Sequence, residues 1–273
     1  MYGKDNIMNK LGFIGVGNMG GAILNGINGK LGNTAVFAYD ANPEKLKGIA
    51  SLGATAADSI REIAEKCNYI LLAVKPQQLD SVLSEIKAAG NSSAVIISIC
   101  AGISAEYIRE RTFPEAKVVT VMPNTPMMLG AGASAMSRDD KVSDEEFAFA
   151  RKIIGSCGIT EVVPMDKMKE VIAVNGSSPA FIYLYAKGFI DYADSVGIDR
   201  DAALRLFAQT LIGSARMMTE SGMTVDELIK QVSSPGGTTL AGLDRLYEGR
   251  LTDVAQEACR ACTKRAYELG GKK

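Results

Sequence analysis

The chain has 273 residues, enough for one large or two ordinary domains whose core needs no metal or disulfide. Its 31 acidic and 30 basic residues nearly cancel, so no global field favours nucleic acid or an anionic membrane surface, and the expected partner is a small molecule. The sequence contains no histidine, which excludes histidine general acids, catalytic triads and histidine metal sites.

No window supplies the roughly 18 apolar residues of a spanning helix, and residues 1 to 9 are polar and patternless, read as an extension ahead of the first strand. Five cysteines, Cys67, Cys100, Cys157, Cys259 and Cys262, are odd in number and scattered, which fits a soluble protein of the reducing cytoplasm. Cys259-x-x-Cys262 has redox or metal spacing, but it sits in a helical pattern with no second pair; it is read as structural and no metal is expected.

From Lys10 short apolar runs alternate with amphipathic stretches. The pattern predicts a strand at Leu11–Ile14, a helix at Met19–Asn28, a strand at Ala35–Tyr39, helices at Pro43–Leu52 and Ile60–Cys67, and a strand at Tyr69–Val74. A helix over Gln77–Ala88, a strand over Ala94–Ile99, a short helix over Ala105–Arg111 and a strand over Val118–Met122 continue the rhythm, which implies a parallel sheet. After a glycine-rich passage at Gly130–Ala135, Ser143 and Glu146 form a capping box that opens a helix, and Ile159–Val163 supplies a last strand. Beyond about Asp166 the period is helical, with long segments at Pro179–Val196, Asp201–Ser221 and Leu251–Leu269 and a Thr224-x-x-Glu227 capping box. The expected architecture is α/β: a Rossmann-type doubly wound sheet over 1–165, then an all-helical domain over 166–273. Small residues on those helices, among them Ala186, Gly188 and Gly213, suit either a helical core or a dimer interface.

Gly15-Val16-Gly17-Asn18-Met19-Gly20 closes the first strand, which ends at Ile14, and opens a helix, the layout of a dinucleotide pyrophosphate site. Gly15 permits the tight turn, Gly17 lets phosphate approach the backbone, and Gly20 allows close helix packing. Asp40 ends the second strand about twenty residues past Gly20, where a carboxylate accepts hydrogen bonds from the adenosine ribose. An acid there favours NADH; NADPH stays open because Lys45 or Lys47 can swing toward a 2′-phosphate. Ala73-Val74-Lys75-Pro76 and Cys100-Ala101-Gly102 also follow strand ends, where such sheets bind ligands, although Lys75 reads equally well as a solvated loop lysine.

In the C-terminal half, Ser233-Ser234-Pro235-Gly236-Gly237-Thr238-Thr239 runs into a helical pattern. Its glycines free the backbone and its threonines suit a helix cap, so it reads either as an ordinary capped turn or as a site for a small carboxylate.

These segments, with Met122-Pro123-Asn124-Thr125-Pro126 and Asn175-Gly176-Ser177-Ser178-Pro179-Ala180-Phe181, resemble the pyrroline-5-carboxylate reductase family across nearly the whole chain from Lys10. The resemblance implies reduction of the cyclic imine Δ1-pyrroline-5-carboxylate to L-proline with NADH or NADPH. It implies further that Ser234, Gly237 and Thr238 hold the substrate carboxylate, and that Thr239 offers its hydroxyl to the ring nitrogen as the catalytic residue. The phosphate cradle maps onto Ile14 to Met19, further cofactor contacts onto Ala73–Pro76 and Cys100–Gly102, and Asn124 lies beside the nicotinamide. A homodimer is implied, with a ring of dimers beyond it. Where some relatives carry an Asp, this chain reads Met168-Lys169-Glu170, which leaves a role for Glu170 open.

Two other readings compete. A β-hydroxyacid dehydrogenase shares the domain order but needs a lysine one turn after the Gly176 segment; Lys187 comes too late and is followed by Asp191, not Asn. A non-catalytic dinucleotide sensor could dispense with the Ser234–Thr239 turn.

Overall fold

The structure, a computed structural model, describes residues 9–270; of the extension read at residues 1 to 9, all but Asn9, which begins the first strand, lies outside them. Eight strands form one sheet: β1 (Asn9–Ile14), β2 (Thr34–Tyr39), β3 (Ala54–Ala56), β4 (Tyr69–Leu72), β5 (Val95–Ser98), β6 (Lys117–Met122), β7 (Gly132–Arg138) and β8 (Gly158–Val162). Their order is β3-β2-β1-β4-β5-β6-β7-β8, so the chain winds outward in both directions from the β1–β4 pair.

Alternation along the strands makes two cores. Leu11, Phe13, Tyr69, Leu71, Val95, Ile97, Val119 and Val121 face one side, against α1 (Asn18–Ile27) and α5 (Asp144–Gly155). Ile14, Ile70, Leu72, Ile96 and Val118 face the other, against α2 (Ile60–Lys66), α3 (Leu79–Ala89) and α4 (Ala105–Arg111). With both faces covered the strands read as nearly continuous apolar runs, as the sequence does.

Three expectations are corrected. The sheet is not wholly parallel: β7 runs antiparallel to β6, and β8 follows β7 in parallel, so the last two strands oppose the others. The glycine-rich passage at Gly130–Ala135, which was given no element, enters β7 at Gly132. The single helix expected at Pro43–Leu52 is two one-turn 3-10 helices, Pro43–Leu46 and Ile49–Leu52, because Gly48 between them adopts a left-handed φ of 81°.

Packing divides the chain into two compact units, one running to Ser177 and taking in the chain from Cys262, the other Ser178–Ala261. The second unit holds α6 (Ser178–Ser195), α7 (Arg200–Glu220), α8 (Val225–Gln231), α9 (Thr238–Glu248) and the first part of α10 (Leu251–Gly270). Phe189 on α6 stacks on Phe207 on α7 with ring centroids 4.4 Å apart. No helix among the described residues is long and apolar enough to cross a membrane.

Both capping boxes form as expected, at Ser143 and at Thr224. The first is tied into the sheet: Glu146 accepts from Lys117 Nζ at 2.6 Å and from the Ser143 N–H at 2.9 Å. Burial pushes the Glu146 carboxyl up, but the Lys117 ammonium and the Ser143 N–H outweigh it and hold it below its usual range. A depressed carboxyl stabilises the fold above its unfolded pKa, and that stability is lost as pH falls through the folded value. Glu146→Gln is therefore expected to cost about 1–2 kcal/mol at neutral pH in urea unfolding, the deficit shrinking as the parent is acidified below about pH 4. A deficit independent of pH would contradict this.

Candidate functional site

The parallel strands β2, β1, β4, β5 and β6 end side by side: Ile14 pairs with Tyr39 and Leu72, Leu72 with Ser98, and Ser98 with Thr120. Ile14 is the last residue of β1, and every other residue predicted for the cofactor follows one of these ends. Gly15 to Gly20 leave β1, Asp40 leaves β2, Ala73 to Pro76 leave β4, Cys100 to Gly102 leave β5, and Asn124 leaves β6. The crevice between the diverging connections of β1 and β4 is where doubly wound sheets take ligands.

The first turn is held by main-chain crowding. Gly15 has φ 99°, and a Cβ there would lie 2.6 Å from the Ala73 carbonyl oxygen; a Cβ on Gly20 would lie 2.2 Å from the Gly15 oxygen. Gly17 is the N-cap of α1 and no side chain caps that helix, so its first-turn N–H groups and positive dipole end remain available to an anion. A dinucleotide pyrophosphate therefore fits the residues present.

The neighbouring loops are cross-linked. Asp40 accepts from the Val16 N–H at 2.8 Å and from the Asn42 N–H at 2.9 Å, and its carboxylate lies 3.8 Å from Lys45 Nζ. The buried Cys100 thiol donates to the Val74 carbonyl at 3.4 Å. Lys75 is exposed and precedes a short 3-10 turn, Pro76–Gln78. Asn124 Oδ1 accepts from the Ala133 N–H at 2.9 Å, which ties the loop after β6 to β7.

Beside Cys100–Gly102 opens a cavity of about 520 Å³, lined in part by Thr120, Met165, Ile172 and Tyr267. Sequence reasoning left two side chains near it without roles. Glu170 accepts from the Tyr267 hydroxyl at 2.9 Å, which ties the end of α10 to the segment after β8. Asn175 donates to the Met122 and Ala133 carbonyls at 2.7 and 3.0 Å. Glu170 Oε2 and Asn175 Oδ1 are buried without a partner among the described residues. The local signal was the Asn175-Gly176 motif, which marks the position but not the bridge.

In the other unit, the glycine turn leads into α9. Gly236 has φ 71°, Gly237 is the N-cap, and a Cβ on Gly237 would lie 2.6 Å from Ser234 Oγ. Thr238 and Thr239, expected to cap the helix, are instead its first two residues, and no side chain caps it. The Gly237 N–H donates to the Ser234 carbonyl at 2.9 Å, which leaves the first N–H groups of α9 open to a small anion beside the exposed Ser234 and Thr239. Lys187, the lysine considered for the hydroxyacid dehydrogenase reading, pairs with Asp191 one turn on.

The five cysteines are free thiols, and burial pushes the Cys67 thiol up to about 12, too high to react near neutrality. Among the described residues no group of three or more His, Cys, Asp or Glu could hold a metal ion.

Comparison with known proteins finds two family models: one described as pyrroline-5-carboxylate reductase dimerisation, over residues 165–269, and one described as NADP oxidoreductase coenzyme F420-dependent, over 10–102. The chain is 33% identical to the pyrroline-5-carboxylate reductase of Escherichia coli K12, covering 95% of this chain and 98% of that one. It is 35% identical to that of Methanosarcina acetivorans, covering 96% and 98%. Among solved structures, Plasmodium falciparum pyrroline carboxylate reductase with NADP bound superposes with a TM-score of 0.85 at 32% identity, covering 98% of this chain and 100% of that one. A pyrroline-5-carboxylate reductase from Coxiella burnetii gives 0.90 at 29% identity, covering 96% and 98%.

A methyl at Gly20 would displace the Gly15 peptide, so Gly20→Ala should weaken NADH binding about tenfold or more while far-UV circular dichroism stays unchanged. Parental affinity would show that this close approach is irrelevant to the dinucleotide.

Proposed function

The chain belongs to the pyrroline-5-carboxylate reductase family, and on that premise we propose that it reduces the C=N bond of Δ1-pyrroline-5-carboxylate to give L-proline, the last step of proline biosynthesis. The observation that carries the reading is the presence, on one chain, of two helix starts headed by glycine and left without a side-chain cap. One is at α1, at the strand-end crevice; the other is at α9, in the Ser234–Thr239 turn. The first suits a dinucleotide pyrophosphate and the second a substrate carboxylate. Residues 1–165 then serve the dinucleotide, and 166–273 serve substrate and dimerisation.

Bound NAD(P)H supplies the hydride. Ile14 to Gly20 cradle the pyrophosphate, Asp40 faces the ribose, and Ala73–Pro76, Cys100–Gly102 and Asn124 line the way to the nicotinamide. The Thr238 N–H and the Ser234 hydroxyl hold the carboxylate of the imine, and Gly237, whose own N–H goes to the Ser234 carbonyl, leaves room for it. Thr239 places its hydroxyl at the ring nitrogen and follows the developing amine with a hydrogen bond. A cyclic iminium accepts hydride directly at carbon, so a strong protein acid is unnecessary and a chain without histidine suffices. The protein's work is mostly orientation of ring against ring.

A homodimer is supported by the dimerisation family model over 165–269 and by the apolar residues that the second unit exposes, Leu184 at 72% and Leu206 at 69% among them. We extend this to a ring of dimers and to a cytoplasmic location, the latter resting on five free thiols.

The reading is tested by imine-dependent loss of dihydronicotinamide absorbance, with NADH and NADPH run separately and 3-hydroxy acids with NAD as the control. Turnover of the hydroxy acids and not of the imine would favour the dehydrogenase reading, and no turnover at all would favour a sensor. Thr239→Ala is expected to lower kcat about ten- to hundredfold, about 1.4–3 kcal/mol. Parental kcat in that variant would remove Thr239 from the mechanism.

A further inference from the structure

We infer that Asn175 is a positioning residue for hydride transfer: its side-chain amide braces the loop that follows β6 and carries Asn124, and so fixes the surface on which the nicotinamide end of the cofactor rests. The inference rests on the reductase reading proposed above and adds a residue that no predicted site contains.

The ladder between β6 and β7 stops short of this loop. Its last pair is Met122 with Ala135, and Pro123, which follows, has no N–H to carry it further. Side chains take over from there. Continued by two residues, the register sets Asn124 opposite Ala133, where Asn124 Oδ1 accepts from the Ala133 N–H at 2.9 Å. Asn175 adds the other half of the bracing: its Nδ2 donates to the Met122 carbonyl at 2.7 Å and to the Ala133 carbonyl at 3.0 Å. One amide thus grips both the strand that enters the loop and the strand that leaves it.

Asn175 reaches these carbonyls from a turn of unusual pitch. Ile172–Gly176 is a π-helical turn, closed by the Ser177 N–H on the Ile172 carbonyl at 2.8 Å, and such turns recur where a side chain has to be presented out of the regular helical register. The turn packs directly on β6, since a Cβ on Gly176 would lie 2.4 Å from Met122 Cε. The rest of the loop is anchored separately. Its 3-10 turn, Thr125–Leu129, packs against α1, with Met127 buried in the core on that side of the sheet. Asn175 therefore governs the base of the loop and leaves its seat on α1, the helix that receives the pyrophosphate, to other contacts.

Carbonyl oxygens accept only donors, and this pair fixes which way the amide lies: Nδ2 toward them and Oδ1 away, where it is buried with no partner among the described residues. Asp has the same shape as Asn, but as a carboxylate it sets a negative charge against both carbonyls, and protonated it regains one of the two bonds. Asn175→Asp is therefore a titratable probe of the brace. Hydride moves only when the reacting atoms stand about 3–3.5 Å apart, and a misplacement of about 1 Å costs on the order of 100-fold in rate. A loosened loop base then acts on kcat before it acts on binding.

The test compares the full-length parent, Asn175→Asp and Asn175→Ala for imine-dependent kcat, for the Kd of NADH by calorimetry, and for Tm. At about pH 8 both variants should lower kcat about tenfold or more while the Kd of NADH stays within about threefold of the parent. The ratio of variant to parent kcat cancels the protonation of the imine itself. Between about pH 8 and about pH 5.5 that ratio should rise about threefold or more for Asn175→Asp, because burial and two carbonyls raise the pKa of a carboxyl placed there, and it should stay flat for Asn175→Ala. Parental kcat in both variants overturns the inference, and a flat ratio for Asn175→Asp overturns the donor role. A loss of kcat matched by an equal loss of NADH affinity and a lower Tm also overturns it, since a merely structural brace would behave that way. If Asn175→Asp does not fold, Asn175→Ala decides on the split between kcat and Kd. A parent without imine-dependent turnover sinks the reductase reading and the inference with it, whereas an active parent whose variants keep their kcat sinks the inference alone.

Discussion

A backbone approach too close for any side chain fixes the carboxyl edge of the sheet. Gly15 leaves β1 against the Ala73 carbonyl, and Gly20 brings the first turn of α1 onto Gly15, each at a distance that a Cβ would fill. From that contact the neighbouring loops are linked in series. Asp40 after β2 holds Val16, Gly15 packs on Ala73 after β4, and Cys100 after β5 donates to Val74. Loops are ordinarily the mobile part of such a fold; here four of them are bonded or packed to one another, so a ligand meets a preformed surface and loses less affinity to ordering it.

The second half of the chemistry uses the same device in a different setting. Five helices here are closed by a side chain: Ser59 caps α2, Ser104 α4, Ser143 α5, Asp199 α7 and Thr224 α8, while Gln78 at the start of α3 makes no such bond. At α1 and α9 the N-cap is glycine and the N–H groups are left open. A glycine N-cap costs a helix a few tenths of a kcal/mol relative to a good side-chain cap. Accepting that cost at the two places proposed for pyrophosphate and carboxylate is what an anion-binding protein without histidine would do. Neither function requires a metal or a buried acid, which agrees with a sequence whose charge is nearly balanced.

Much of this was legible in the sequence where the signal is local. The glycine fingerprint, the strand-helix alternation and both capping boxes depend on residues within a few positions of each other, and all form. What depends on distant partners was not legible. Gly132–Arg138 has no β-branched residue, and its strand exists because β6 and β8 flank it. Pro43–Leu52 has a helical period, but Gly48 takes a left-handed conformation that periodicity does not encode. Asp40 was placed correctly at the end of β2, yet its bond to Val16 could not be inferred from spacing. Asn175 bridges carbonyls 53 and 42 residues away, and no local pattern announces such a bridge. The threonines after Gly237 were expected as caps and lie inside α9, so the hydroxyl of Thr239 is not consumed by its own helix start.

The proposed reaction is a direct hydride transfer from a dinucleotide to the imine carbon, with main-chain N–H groups and one hydroxyl proposed to guide it. The most direct measurement is mass spectrometry of the proline formed from unlabelled Δ1-pyrroline-5-carboxylate and NADH deuterated at both C4 positions. The account predicts one deuterium, on the ring carbon beside nitrogen that does not carry the carboxylate. Proline free of deuterium, or no proline at all, would contradict it.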